Sequence, residues 1–299
     1  MNDVCVKGRL DGLEIAFAFA DTTEAVNELV LIHDCDPVTA HLFGRCITAS
    51  VLGASLLPDG QRLNINWQYP GALKAIVIDA GYDASLRGII SPSHLHNIAQ
   101  SQDEIFGDIG EIKTVVMDGG KVLRSSATPV SLHDPVNDFA YHFSISDQIE
   151  TSIKALIGFA PDEKNPIALS NGIMIQALPN CDLNIFENIR KKMEKDSFAN
   201  LLKVKDGKNI LEDVIDELVR DENDYHSCRI GSKISPKFIC SCSSEEKFSI
   251  VLKSIPIPER MEIVKENNSL KINCEFCKKT HEVTAVSYTH LRAHETRTY

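Results

Sequence analysis

The 299 residues leave room for one large domain and a smaller one, and 43% of them are hydrophobic, enough for a substantial core. The net charge of -11 disfavours generic binding to nucleic acid or anionic lipid, and no apolar run approaches the ~18 residues that cross a bilayer. The opening stretch sets Asp3, Lys7, Arg9, Asp11 and Glu14 among its apolar positions, which is unlike a signal peptide and makes the cytoplasm the expected compartment.

In chain order, the first strong signal is Asp36-Pro37, an N-cap aspartate followed by proline at the first helical position. From Val38 to Leu57 the only breakers are Gly44 and Gly53. Leu42, Phe43, Ile47, Val51, Leu52 and Leu56 crowd several faces, which predicts a largely buried helix with Cys46 as a small core hydrophobe. Pro58-Asp59-Gly60 is a turn, and strict alternation at Leu63, Ile65 and Trp67 predicts a half-buried strand. Pro70-Gly71 leads into a second strand over Leu73–Ile78. Further strands are expected at Thr114–Met117, at Lys121–Arg124 after the turn Asp118-Gly119-Gly120, and at Ile173–Ala177. His94-Leu95-His96 would put both rings on one strand face, a structural pair without a third ligand. Residues 1–181 thus read as an α+β domain of antiparallel sheets with packed helices.

Composition changes over 182–235. Ile185, Ile189 and Met193 recur at helical spacing, as do Ile210, Leu211, Val214, Ile215 and Leu218, separated by charge-rich, uncapped stretches such as Arg190-Lys191-Lys192. Short amphipathic helices of this kind are marginal alone. They read as a helical linker docked on the first domain, either permanently or reversibly.

Residues 236–285 form a third unit. Ser243 with Glu246 makes a capping box, Phe248, Val251, Leu252 and Ile255 follow at helical spacing, and Asn267-Asn268 turns the chain into a strand at Leu270–Asn273. The tail 286–299 has no apolar period and resembles translated sequencing-adaptor DNA. It is read as non-native, with no role for His290 or His294.

Nine cysteines are many for a cytosolic chain, where clustered thiols point to metal or redox chemistry. Cys240 and Cys242 form a C-x-C pair, Cys274 and Cys277 a C-x-x-C pair, with 31 residues between the pairs. Four thiolates suit the tetrahedral preference of zinc and leave no open position for a hydrolytic water. They carry a net charge of about minus two around the ion, which nearby Lys237, Lys278 and Lys279 can partly offset. A unit of about 50 residues seldom gains more than about 3–5 kcal/mol from its core, whereas structural zinc contributes about 10–16 kcal/mol. Folding of this unit should therefore depend on the metal. Spacing leaves open whether the zinc is permanent or a redox switch, since bound thiolates stay nucleophilic and each has a neighbouring thiol to resolve it.

Cys5, Cys35, Cys181 and Cys228 show no paired spacing, and Cys228 stands close enough to Cys240 in sequence to interfere through mixed disulfides. His281, four residues after Cys277, could substitute as a ligand, but beside a complete set of four cysteines it reads as a solvated side chain. No acid/base dyad and no phosphate-binding G-x-x-x-x-G-K-[ST] loop is present, so neither an enzyme nor ATP use is expected.

The run Phe238-x-Cys240-x-Cys242-Ser243, followed after 31 residues by Cys274-Glu275-Phe276-Cys277, resembles the redox-switch domain of the 33 kDa chaperonin family. The likeness extends upstream to Arg62-Leu63-Asn64-Ile65, Gly71-Ala72-Leu73, Arg87-Gly88, Gln148-Ile149 and Gly172–Pro179, and spans residue 8 to about 284. This chain departs from the common pattern in its Asn- and Lys-rich character. The resemblance implies a redox-regulated, ATP-independent holdase that is inactive while reduced and zinc-bound. It implies that oxidation forms the disulfides Cys240–Cys242 and Cys274–Cys277, expels zinc, unfolds switch and linker, and yields a homodimer that holds unfolding client proteins. The first domain would then carry substrate binding and dimerisation. The competing reading is a zinc-ribbon module binding nucleic acid or a protein partner, which the acidic balance disfavours.

Overall fold

A computed structural model describes residues 3–204, 210–242, 256, 258–259, 262 and 270–283. The chain divides into two units, Met1–Phe238 and Ile239–Tyr299.

The first unit opens with the strands β1 (Val4–Asp11) and β2 (Ile15–Asp21), whose connecting turn places Gly12 and Glu14 at positive φ. Helices α1 (Thr23–Ile32) and α2 (Pro37–Ser55) follow. The Asp36 carboxylate accepts the Thr39 N–H at 2.8 Å and Pro37 occupies the first turn, so α2 starts where the sequence predicts. A meander of β3 (Gln61–Gln68), β4 (Ala75–Gly81) and β5 (Ser85–Ser91) leads to the short helix α3 (Gln102–Phe106). The second predicted strand begins at Ala75 rather than Leu73, because the Leu73 N–H is spent on the Ile105 carbonyl at 2.9 Å. His94-Leu95-His96 lies in a loop and not on a strand. The other Asp36 oxygen accepts the Leu95 and His96 N–H groups, each at 2.6 Å, which removes these donors from any ladder.

Next come β6 (Gly110–Asp118) and β7 (Lys121–Val130), joined by Gly119 and Gly120 at positive φ as the turn residues predict. Helix α4 (Pro135–His142), capped by Asp134, runs through a π-helical turn at Phe143–Asp147 into β8 (Thr151–Phe159) and β9 (Ile167–Ala177).

After β9 the chain forms α5 (Leu183–Glu194), α6 (Asp196–Leu202), α7 (Ile210–Val219), β10 (Ser227–Ile234) and β11 (Lys237–Phe238). The strands form a five-stranded sheet in the order β10-β1-β2-β9-β8 and a six-stranded sheet in the order β11-β5-β4-β3-β6-β7. Neighbours are antiparallel except β11 and β5. The α+β class is as expected.

Helix α2 packs against β3 and β4 of one sheet and β2, β8 and β9 of the other, which explains why its apolar residues occupy all faces. Gly44 lets it approach closely, since a Cβ there would meet Ile157 and Val26 at 2.7 and 2.8 Å. Cys46 is fully buried in this core, as expected.

A second core lies on the opposite face of the five-stranded sheet. Leu10, Ile15, Phe17, Phe19, Ile173 and Ile175 pack there against Phe186, Ile189 and Met193 of α5, Phe198 and Leu202 of α6, and Val214, Ile215 and Leu218 of α7. The helical spacing read in 182–235 is thus the imprint of this sheet face. Asp182 caps α5 by accepting the Asn184 N–H at 2.8 Å, so this helix has the N-cap that the sequence reading missed. The stretch also supplies β10, an edge strand pairing Cys228 with Leu10, which no alternation in its polar sequence announces.

In the second unit, β12 (Leu270–Asn273) pairs antiparallel with β13 (Thr280–Val283), the former at its predicted place. The expected capping box at Ser243, the helix through Ile255, the turn at Asn267-Asn268 and the tail 286–299 lie outside the described residues. Among the described residues no helix is long and apolar enough to cross a membrane.

Candidate metal centre

The hairpin of β12 and β13 builds half of the site. Cys274 follows β12 directly, and its N–H donates to the Lys279 carbonyl at 2.9 Å while its own carbonyl accepts the Lys278 N–H at 2.8 Å. Lys278 closes the loop in the left-handed region at φ 56. This turn holds Cys274 and Cys277 at one end of the hairpin. Lys278 directs its ammonium to Glu275 at 2.7 Å, so one of the lysines expected to offset the cluster's charge is shared with a carboxylate.

The structure gathers all four predicted cysteines. The Sγ atoms of Cys240, Cys242, Cys274 and Cys277 lie within 4.8 Å of one another. Cys240 and Cys274 approach to 3.6 Å, and Cys242 and Cys277 to 3.4 Å. These separations are far longer than a disulfide bond of about 2.05 Å, and the structure joins none of the nine cysteines in a disulfide. A tetrahedral zinc with sulfur at about 2.3 Å needs ligand atoms about 3.8 Å apart. The thiol cluster therefore fits a metal ion of that size, and its all-sulfur donor set suits zinc.

Without a metal the four thiols differ. Burial raises Cys274, but the backbone N–H groups of Cys277 and Phe276 and hydrogen bonds from Cys240 and Cys277 outweigh it and bring the thiol down to about 7. Burial raises the thiols of Cys240 and Cys242, the latter further because Cys277, Cys240 and Cys274 surround it. Of Cys240, Cys242 and Cys274, only Cys274 is shifted toward its thiolate. The remaining thiols are muted: burial pushes Cys5 up to about 11, Cys35 up to about 12, and Cys46 well above its ordinary value. Cys181 and Cys228 are also raised by burial.

One residue differs from its sequence reading. His281 is not a solvated bystander: it is half-buried, and its Nε2 lies 3.1 Å from the Cys242 Sγ. The signal was its position four residues after Cys277, which a tight hairpin turns back toward the sulfurs.

The Hsp33 protein family model matches residues 3–284 of the chain. A 33 kDa chaperonin of Clostridium perfringens (strain SM101 / Type A) is 31% identical over 283 residues, 92% of this chain and 86% of that protein. A 33 kDa chaperonin of Clostridium botulinum (strain Alaska E43 / Type E3) is 28% identical over 290 residues, 95% of each. The crystal structure of a 33 kDa chaperonin from Thermotoga maritima aligns with a TM-score of 0.80 over 99% of this chain and all of that one, at 17% identity, a likeness of fold.

Proposed function

Because this chain belongs to the Hsp33 family, we propose that it is a redox-regulated holdase chaperone kept inactive by one zinc ion on Cys240, Cys242, Cys274 and Cys277. The family supports the chaperone role. The observation that carries the finer reading is the convergence of four unbridged sulfurs at distances that suit a tetrahedral ion.

When bound, zinc would hold the four thiolates together and supply the second unit with the stability that so small a core lacks. Oxidation converts Cys240 with Cys242, and Cys274 with Cys277, into disulfides. Each pair of thiolates gives up two electrons to hypochlorous acid, taken as oxidant, which leaves as chloride and hydroxide. A disulfide sulfur is a poor ligand, so the site loses its affinity for the ion. Residues 236–285 then unfold as a switch domain, and the linker 182–235 follows because α5–α7 are too short to persist without their packing.

Departure of these helices uncovers Phe17, Phe19, Ile173 and Ile175 on the N-terminal domain, residues 1–181, an apolar face for client segments. Client holding by burial of apolar surface uses no ATP, and oxidised subunits pair as homodimers. Reducing conditions that keep the thiols free correspond to the cytoplasm.

The test measures zinc content, free thiols and suppression of client aggregation before and after hypochlorite treatment. The reading requires oxidation to release zinc and to switch on suppression. Oxidation without zinc release, or a zinc-free oxidised form that suppresses no aggregation, would refute it.

A further inference from the structure

The hairpin of β12 and β13 pairs His281 with Ile272 across the ladder and returns the imidazole to the sulfur cluster. The approach of Nε2 to the Cys242 Sγ, 3.1 Å, is shorter than either sulfur–sulfur approach, 3.4 and 3.6 Å. His281 stands beside the set of four sulfurs, touching it at Cys242. An ion bonded to the Cys242 sulfur would thus have a fifth, nitrogen donor next to one of its ligands. Three thiolates and one imidazole form a closed structural zinc set, as four thiolates do, and they reduce the net charge of the site from about minus two to about minus one.

Building on the zinc reading above, we propose that His281 is a reserve ligand of the metal centre, which takes the place of Cys242 and keeps the ion bound when that sulfur is lost. The exchange changes no oxidation state. The Cys242 sulfur leaves with its electron pair and takes a proton from water, Nε2 donates its own lone pair, and the imidazole proton resides on Nδ1. The remaining donors are Cys240, Cys274, Cys277 and His281. Damage to Cys242 alone would then leave the switch closed, and formation of the Cys240–Cys242 disulfide would still leave three donors on the ion.

The test compares wild type with Cys242→Ser, His281→Ala, the double variant Cys242→Ser/His281→Ala, and Cys274→Ser, each loaded with zinc and separately with cobalt. Wild type and His281→Ala should hold one metal per chain with the same cobalt absorption. Cys242→Ser should keep its metal, with its thiolate-to-cobalt charge-transfer intensity lowered by roughly a quarter for one sulfur lost of four. The double variant and Cys274→Ser should lose it, with retention weaker by about tenfold or more.

Loss of metal from Cys242→Ser to the extent seen in Cys274→Ser overturns the proposal. So does retention in the double variant equal to that in Cys242→Ser. If wild type itself holds no metal, the zinc reading falls with it, an outcome distinct from both. A second measurement avoids disturbing the cysteines: wild type and His281→Ala are titrated with a thiol-modifying reagent, and thiols consumed per zinc released are counted. Wild type should give up its zinc after more thiols than His281→Ala, and equal counts count against the reserve ligand.

Discussion

The ammonium of Lys192 on α5 lies 2.8 Å from the carboxylate of Glu222, in an ion pair whose side chains are only 15% and 10% exposed. The same ammonium donates to the carbonyls of Leu218 and Arg220, so one lysine closes the C-terminal end of α7. It ties α5 to the end of α7 by groups that each need the other.

Replacing Lys192 with methionine keeps the stem and removes the charge. The carbonyls and the Glu222 carboxylate lose their donor, at a cost of about 1–3 kcal/mol, more for the half of a buried pair left behind. The expected outcome is faster amide hydrogen exchange in 183–194 and 210–219, with no change in β3 and β4. On the holdase reading, the reduced, zinc-bound variant should also show measurable suppression of client aggregation.

Leu218 is fully buried between α7 and the five-stranded sheet. Leu218→Ala should cost about 2–5 kcal/mol. A helix as short as α7 does not survive alone in water, so the loss should appear as detachment of α5–α7 before the main unfolding transition. Urea titration followed by circular dichroism and by proteolysis in 182–226 checks this. The exposed Glu212→Ala serves as control and should stay within about 0.5 kcal/mol of wild type.

In the reduced protein, while the hairpin of β12 and β13 stays folded without its metal, Cys274 should be the most readily alkylated thiol near neutrality, because its thiolate forms at about 7. Once the unit unfolds, the four clustered thiols should label alike. In the folded unit the labelling rate of Cys274 should rise with pH through that value, whereas Cys46 should stay unlabelled until the protein unfolds. Peptide mapping after iodoacetamide treatment reads both. Restoring zinc should protect all four clustered cysteines, and Cys274→Ser should abolish that protection.

Asp3 supplies a pH signature unrelated to the metal. Its carboxylate accepts the N–H groups of Glu24 and Ala25 at the start of α1, each at 2.8 Å, but burial, with repulsion from Asp21 and Glu24, pushes it from 3.8 up to about 6. An acid whose folded value exceeds its unfolded value binds its proton more tightly in the folded state. Its stabilising contribution is therefore complete below the unfolded value and is lost as pH rises through about 6. The difference in urea midpoint between wild type and Asp3→Asn should change between about pH 4.5 and pH 7, with wild type falling relative to the variant as pH rises.

What was legible in the sequence was local. Asp36 and Pro37 announce α2 because a cap and a fixed φ act within one turn. Leu63, Ile65 and Trp67 announce β3 because one face of that strand is buried. The strand β2 carries no alternation in the sequence because its sheet is covered on both sides, which makes Ile15–Ala20 apolar throughout. Nothing in Ser227–Ile234 marks β10, which forms because β1 offers it an edge.

The four cysteines proposed to hold the metal, Cys240, Cys242, Cys274 and Cys277, are singled out by their spacing in the sequence, and two short pairs of thiols have few other uses. Only the tertiary structure decided what surrounds them and what α5–α7 cover. His281 reaches Cys242 because a hairpin of defined register brings a nitrogen to a sulfur 39 residues away. The face formed by Phe17, Phe19, Ile173 and Ile175 exists because β2 pairs with β9, and α5–α7 are helices because that face receives them. Spacing determines chemistry within a turn or two of chain, whereas pairing between distant strands decides which surfaces meet.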